Sequence, residues 1–171
     1  PMFYEDPVRP DNFDDMQRVA SEIHIPIATG ERLHTLEEFG MLLARNACQY
    51  IRPDVCLCGG ITQAKKIAAA AEARGVLVVP HNPLSPVSTA ACIQLAASIP
   101  NFAIQEYPLG EDCAPKNEIV KSTLTLDNGY LTVPDSPGIG IELNEQAMHQ
   151  YPYKPRLYVT KLREDGSVVD Q

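Results

Sequence analysis

Ile25-Pro26-Ile27-Ala28-Thr29-Gly30-Glu31 is a short apolar run that ends on a glycine and a carboxylate, and its neighbours decide the fold. Thr35 to Ala47, directly after it, has a helical pattern, and Thr35 followed three residues later by Glu38 forms a capping box at its start. Gln49-Tyr50-Ile51 is a second short strand, running into Arg52-Pro53-Asp54. Strand, helix, strand in that order is the unit of a parallel sheet, because parallel neighbours require a crossover and the crossover is right-handed.

The same cycle extends in both directions. Upstream, Pro1 to Pro7 is strand-like, and Asp11 to Ile23 places Phe13, Met16, Val19, Ala20 and Ile23 on one helix face behind an Asp11 or Asn12 cap. Downstream, Thr62 to Arg74 is an alanine-rich helix stopped by Gly75, and Val76 to Val79 is a strand ending at Pro80-His81-Asn82. Ser88 to Ser98 is a further helix, and Phe102-Ala103-Ile104 is a fifth strand leading into Gln105-Glu106-Tyr107. The expected class is α/β, a parallel sheet covered by helices.

From about Leu109 the rhythm gives way to a segment rich in proline and glycine, so residues 1–108 and 109–171 are read as separate units. Asp127-Asn128-Gly129 marks a hairpin within Leu124 to Val133, residues 134–140 form a loop, and Glu142 to Gln150 has room for one or two helical turns. Arg156 to Val169 is expected to be an edge strand with a mobile tail.

Composition narrows the function classes. A content of 44% hydrophobic and 21% charged residues is that of a soluble globular unit. No run approaches the roughly 20 apolar residues of a membrane span, and no signal-peptide order opens the chain, so a cytoplasmic location without membrane association is expected. The net charge of −8, without clustered Lys and Arg, argues against nucleic acid but not against an anionic small substrate, because a bound divalent cation can reverse the local sign. Five cysteines, an odd count without paired CxxC sets, are read as reduced structural thiols. Pro1-Met2-Phe3-Tyr4-Glu5 opens on a strand with no initiator methionine ahead of it, which reads as a fragment cut just before a buried strand.

Glu5, Glu31, Asp54, His81 and Glu106 each fall at or just past the end of an expected strand, with spacings of 26, 23, 27 and 25 residues. In a (β/α) barrel all strand C-termini open on one mouth, so one polar residue per unit converges on a single site. Any one of them alone would pass for a solvated loop carboxylate or a helix cap. Glu5 and Glu31, on adjacent strand ends, suit a hard cation taking oxygen ligands, Mg²⁺ or Mn²⁺ rather than zinc. Asp54 and His81, on the next two, can meet as a dyad in which the carboxylate orients the ring for proton exchange. Glu106 closes the mouth.

Other polar residues keep two readings. His34 either touches substrate at the mouth or is an ordinary loop residue, and Asn82 and Ser85 either hydrogen-bond substrate hydroxyls or hold their own loop. Arg52 is read first as a structural ion pair with a neighbouring carboxylate. Gly59-Gly60 opens a helix where backbone amides could bind an anion, although paired glycines also permit a tight turn. His24 and His149 are read as surface residues.

Six segments in this order, Tyr4-Glu5-Asp6-Pro7, Ala28-Thr29-Gly30-Glu31-Arg32-Leu33, Arg52-Pro53-Asp54, Gly59-Gly60-Ile61-Thr62, Pro80-His81-Asn82-Pro83 and Gln105-Glu106-Tyr107, resemble the mandelate racemase branch of the enolase superfamily. Within that branch the chain is similar to galactonate-dehydratase-like sugar-acid dehydratases. The resemblance implies the C-terminal part of a (β/α)7β TIM-like barrel, about strands 4 to 8, with an extension that packs on an N-terminal capping domain. It implies Mg²⁺ held by Glu5 and Glu31, a catalytic Asp54–His81 dyad, and Glu106 bonded to the substrate carboxylate or enolate. The third metal ligand and a second acid/base residue would lie before Pro1, so residues 1–171 alone are expected to be inactive.

The implied reaction is dehydration of an aldonate such as galactonate to a 2-keto-3-deoxy acid, by a protein that is a homo-oligomer at full length. It follows the chemistry common to the superfamily, in which a Lys or His base works beside Mg²⁺ that stabilises an ene-diolate. A racemase, epimerase or cycloisomerase would use the same residues, and a half-barrel that only binds a complementary chain is the non-catalytic alternative.

Overall fold

A computed structural model describes residues 1–155, 161–167 and 169. Strands and helices alternate as β1 (Tyr4–Glu5), α1 (Phe13–Glu22), β2 (Ile27–Thr29), α2 (Leu36–Ala44), β3 (Tyr50–Ile51), α3 (Gly60–Glu72), β4 (Leu77–Val78) and α4 (Pro86–Ala97). The four strands form one parallel sheet in chain order, with Glu5 opposite Ala28, Ala28 opposite Tyr50 and Ile51 opposite Val78. Each strand is short for a reason visible in its sequence: Pro7, Pro53 and Pro80 follow β1, β3 and β4 within two residues, and Gly30 follows β2. Proline has no N–H for the ladder, so the regular ladder is interrupted there, with one isolated bridge past Pro53 and Pro80.

The helix starts follow local chemistry. Asn12 caps α1 by accepting from the Asp15 N–H at 3.1 Å, and Thr35 and Glu38 form the expected capping box on α2. Helix α4 begins at Pro86 instead of Ser88, because Ser85 is its cap and proline is favoured in the first turn, where its missing N–H is no loss. Similarly, α3 begins at Gly60, earlier than Thr62, and α2 stops at Ala44, short of Ala47, where Asn46 turns the chain with a φ of 52°.

Met16, Ile27, Phe39, Leu42, Ile51, Ile67, Val78 and Leu95 build a single core between sheet and helices. The small face of α3, Ala64, Ala68 and Ala71, lets it pack between α2 and α4. Burying a branched or aromatic side chain in this layer contributes roughly 1.5–3 kcal/mol each. Cys48, Cys58 and Cys92 lie in or against this core and Cys56 and Cys113 are exposed; all five are free thiols. Burial pushes the Cys48 and Cys92 thiols up to about 12 and Cys58 to about 11, as inert structural thiols require.

The expected fifth strand is reduced. Phe102 makes one parallel bridge with Val78, with the Val78 N–H donating to Asn101 O at 2.8 Å and the Ala103 N–H to Val78 O at 2.9 Å, and no ladder continues to Glu106. Glu106 and its neighbour Gln105 are bound by side-chain hydrogen bonds instead, as described below. Beyond it, β5 (Leu126–Asp127) and β6 (Tyr130–Leu131) form the expected hairpin, with Asn128 and Gly129 both at positive φ, 48° and 84°, as a type I′ turn requires. A 3-10 turn at Lys116–Ile119 and a single helical turn, α5 (Ala147–Gln150), complete the extension.

The edge strand expected over Arg156 to Val169 falls partly outside the described residues. Among those described, the Val169 N–H donates to Lys161 O at 2.9 Å and the Arg163 N–H to Ser167 O at 2.8 Å, closing a turn at Gly166. No helix of the described residues is long and apolar enough to cross a membrane.

Candidate active site at the strand ends

Tyr50 pairs with Leu77 and Ile51 with Val78, and the same offset of 27 residues, carried past the two strands, pairs Asp54 with His81 in a parallel bridge. The dyad is therefore a product of sheet register. Asp54 is buried, its Oδ1 accepting from the N–H groups of Cys56 at 2.7 Å and Leu57 at 3.2 Å. That leaves Oδ2 for His81, whose Nδ1 lies 2.9 Å away. A carboxylate only accepts, so Nδ1 carries the hydrogen and Nε2 is the nitrogen presented to the mouth. Nε2 stands 3.2 Å from Glu31 Oε2. In the imidazolium form both nitrogens donate, one to each carboxylate.

Glu31 is set by the glycine before it. Gly30 has a φ of 127°, and a Cβ there would lie 2.8 Å from the Phe39 ring and 3.2 Å from the Arg52 backbone nitrogen, so only glycine lets the chain turn here against both neighbours.

Arg52 is almost fully buried and its guanidinium bridges two carboxylates, Nη1 to Glu5 Oε2 and Nη2 to Glu106 Oε2. The structural ion pair expected for Arg52 thus joins two residues of the site itself. Glu5 spends one oxygen on Arg52; its Oε1 is buried without a hydrogen-bond partner among the described residues. Burial raises the Glu5 carboxyl above the usual range, Arg52 opposes the rise, and the nearby Glu31 adds to it. Asp6 behaves in the same way: burial raises its carboxyl, a hydrogen bond from Thr29 opposes, and Glu31 adds. Asp6 also has a positive φ of 41° and a buried Oδ1 without a hydrogen-bond partner among the described residues.

A carboxylate group of this kind favours a positive charge beyond Arg52. Oxygen donors, mutual repulsion and the orphaned Oε1 of Glu5 all fit a hard divalent cation. Among the described residues no set of three His, Cys, Asp or Glu is placed to hold an ion unaided.

Asn82 is placed differently from a substrate-facing side chain. It is fully buried, its Nδ2 donating to Thr89 Oγ1 at 2.7 Å and to Glu106 O at 3.1 Å, while its backbone N–H donates to Glu106 Oε2 at 2.8 Å. Both amide hydrogens are spent inside the protein, so Asn82 holds Glu106. Ser85 likewise caps α4. His34 is exposed, its N–H donating to Glu38 Oε2 at 2.8 Å within the α2 capping box, and no described contact joins its ring to the cluster. Gly59 and Gly60, at φ 99° and 83°, form a tight turn, and His24 and His149 are exposed.

Sequence reasoning did not single out Asp6, Thr89 or Glu111. Asp6 adjoins Glu5 within a quoted motif and carried a signal that went unused; Thr89 and Glu111 sit on a helix face and in an irregular segment, where no spacing marks them.

Residues 1–147 match the family model described as enolase C-terminal domain-like. A D-galactonate dehydratase of Verminephrobacter eiseniae is 35% identical over 150 residues, covering 85% of this chain and 39% of that protein. A D-galactonate dehydratase family member of Musicola paradisiaca is 39% identical over 154 residues, covering 88% of this chain and 36% of that one. Among solved structures, an enolase of Agrobacterium radiobacter with sodium and L-malate bound superimposes with a TM-score of 0.88 at 36% identity, over 98% of this chain and 46% of that one. The chain spans about two fifths of the length of the curated relatives it matches. The alternating sheet and helices are thus part of a (β/α) barrel of the enolase type.

Proposed function

The chain belongs to the enolase C-terminal domain-like family, and on that premise we propose that the protein carrying it is a Mg²⁺-dependent dehydratase that converts a sugar acid, an aldonate such as galactonate, to a 2-keto-3-deoxy acid. The observation that carries this reading is the placement of His81 between Asp54 and Glu31, at 2.9 and 3.2 Å, with a third carboxylate, Glu5, near Glu31 and holding a buried oxygen to spare. The substrate class is supported by relatives named for galactonate.

Glu5 and Glu31 would hold the cation, and their oxygen donors suit Mg²⁺. When bound, the cation supplies positive charge beside the substrate carboxylate, where negative charge grows as the α proton leaves. Arg52 keeps Glu5 and Glu106 in fixed orientations; Glu106 accepts from Arg52 and the Asn82 N–H at Oε2, and a proton on its other oxygen would be the one donated to the substrate carboxylate. A base outside the residues named here removes the proton at C2. His81, protonated and held by Asp54, gives its Nε2 proton to the hydroxyl leaving C3, the C3–O bond breaks and water departs. The resulting enol takes a solvent proton at C3 and releases its C2 hydroxyl proton to solvent, becoming the ketone.

His34 belongs to this proposal only as a residue of the mouth's outer rim. Because the set contains two carboxylate ligands and no third among the described residues, residues 1–171 on their own are proposed to be inactive. A homo-oligomer at full length is part of the same reading. Incubation of the full-length protein and Mg²⁺ with a panel of acid sugars, scored for 2-keto acid, tests it; an epimer formed without keto acid would favour a racemase-type reaction, and no product from any sugar acid would reject both.

A further inference from the structure

Glu111 follows the last barrel segment, in the irregular stretch after Tyr107, yet it is fully buried and takes no part in the chemistry above. Its Oε2 accepts from Thr89 Oγ1 at 2.5 Å, and Thr89, itself buried on α4, accepts from Asn82 Nδ2 at 2.7 Å. Asn82 then holds Glu106 twice, through Nδ2 to its carbonyl and through the backbone N–H to its Oε2.

The polarity of this chain is fixed by what each group can do. The Glu106 carbonyl only accepts, so the Asn82 amide must present its NH₂ on that side and not its oxygen. The second hydrogen of that NH₂ goes to Thr89 Oγ1. A hydroxyl that accepts from Asn82 has its one hydrogen free for Glu111, which must therefore offer a lone pair. Glu111 meets that need from the far end, and the orientation is passed through two fully buried side chains to the residue that faces substrate. A carboxyl placed at 0% exposure for packing alone would be a costly choice.

We propose that Glu111 is a positioning residue, which acts through Thr89 and Asn82 to fix the Glu106 carboxylate at the mouth of the site. The proposal rests on the reading of Glu106 as the partner of the substrate carboxylate. It assigns the segment after the barrel a part in building the site and predicts that substitutions there are felt at Glu106.

The test uses the full-length protein, with two disruptive variants, Thr89→Val and Glu111→Leu, and two that keep the needed atoms, Thr89→Ser and Glu111→Gln. Thr89→Ala serves if Thr89→Val does not fold. Two readouts are taken: kcat and KM on the acid sugar, and amide exchange at Asn82 compared with amides of α3. Each disruptive variant should lower kcat about tenfold or more, as a misplaced group costs when displaced by around an ångström, and Thr89→Ser and Glu111→Gln should recover most of it. The Asn82 N–H should exchange roughly tenfold faster in the disruptive variants while α3 keeps its protection, the sign of a local rather than a global loss. Folded Thr89→Val and Glu111→Leu proteins with wild-type exchange at Asn82 would overturn the proposal. So would faster exchange at Asn82 and α3 alike. If the wild type turns over no acid sugar, the functional reading falls and the exchange measurement still decides the positioning.

Discussion

His81 Nδ1 lies 2.9 Å from Asp54 Oδ2, and the two residues face each other because the register of β3 on β4 continues past both strands to pair them. If His81 is the proton donor, His81→Asn should reduce kcat by roughly 10²–10⁴, the usual range for a general acid or base, with the far-ultraviolet circular dichroism unchanged. Asp54→Asn should fall in the same direction, since an amide would present the wrong group to Nδ1 or to the Cys56 and Leu57 N–H donors. Full turnover by a folded His81→Asn protein removes the histidine from the mechanism.

Glu31 stands between His81 and the carboxylates at β1. Glu31→Gln keeps the shape and one oxygen donor but removes a charge, and charge count is what sets affinity for hard cations. Isothermal titration of the full-length protein should show Mg²⁺ binding weakened by about tenfold or more. Affinity equal to the wild type would move the cation away from Glu31.

Arg52 compensates two carboxylates at once. Arg52→Met leaves Glu5 and Glu106 without their shared cation, Glu106 keeping the Asn82 N–H, and because both keep about a third of their side chains in contact with solvent the loss is discounted from that of a fully buried pair, to about 2 kcal/mol. Arg52→Lys should recover little, since a single ammonium lacks the planar fork that reaches both partners. Urea denaturation checks this, and an unchanged midpoint for Arg52→Met would show that the bridge contributes nothing to stability.

Burial holds the Glu111 carboxyl above its ordinary range; the Thr89 hydroxyl and Lys116 pull it down and Asp112 pushes it up, while Tyr107 feels the same charge. An acid whose pKa is higher folded than unfolded binds its proton more tightly in the native state. Its stabilisation is present below the unfolded pKa, about 4.3, and is lost as pH rises through the folded value. The wild type should accordingly lose thermal stability relative to Glu111→Gln as the pH is raised from about 4 to about 8. A gap that stays flat, or that grows in favour of the wild type, would contradict the raised carboxyl.

The dyad was legible because its spacing and its register are the same quantity: 27 residues separate Asp54 from His81, and 27 separate the paired residues of β3 and β4. The alternation of strands and helices was legible for a similar reason, since periodicity and caps such as Thr35–Glu38 are local. Glu106 was found from its spacing although its strand hardly forms; Gln105 and Asn82 secure its backbone carbonyl where a ladder would have done so. An ion pair at Arg52 was legible, but which two carboxylates it bridges, and the path from Glu111 to Asn82, were not. Both join residues across 7 to 54 positions, and only the packing of α4 and the closing loops decides which side chain meets which.

The central claim, that the site breaks the C2–H bond of a sugar acid and expels its C3 hydroxyl, is tested most directly by proton NMR of the full-length protein acting on galactonate in D₂O with Mg²⁺. The account predicts a 2-keto-3-deoxy acid carrying solvent deuterium at C3, formed by the wild type and not by His81→Asn. Deuterium appearing at C2 of an epimerised sugar acid, with no keto acid, would contradict it.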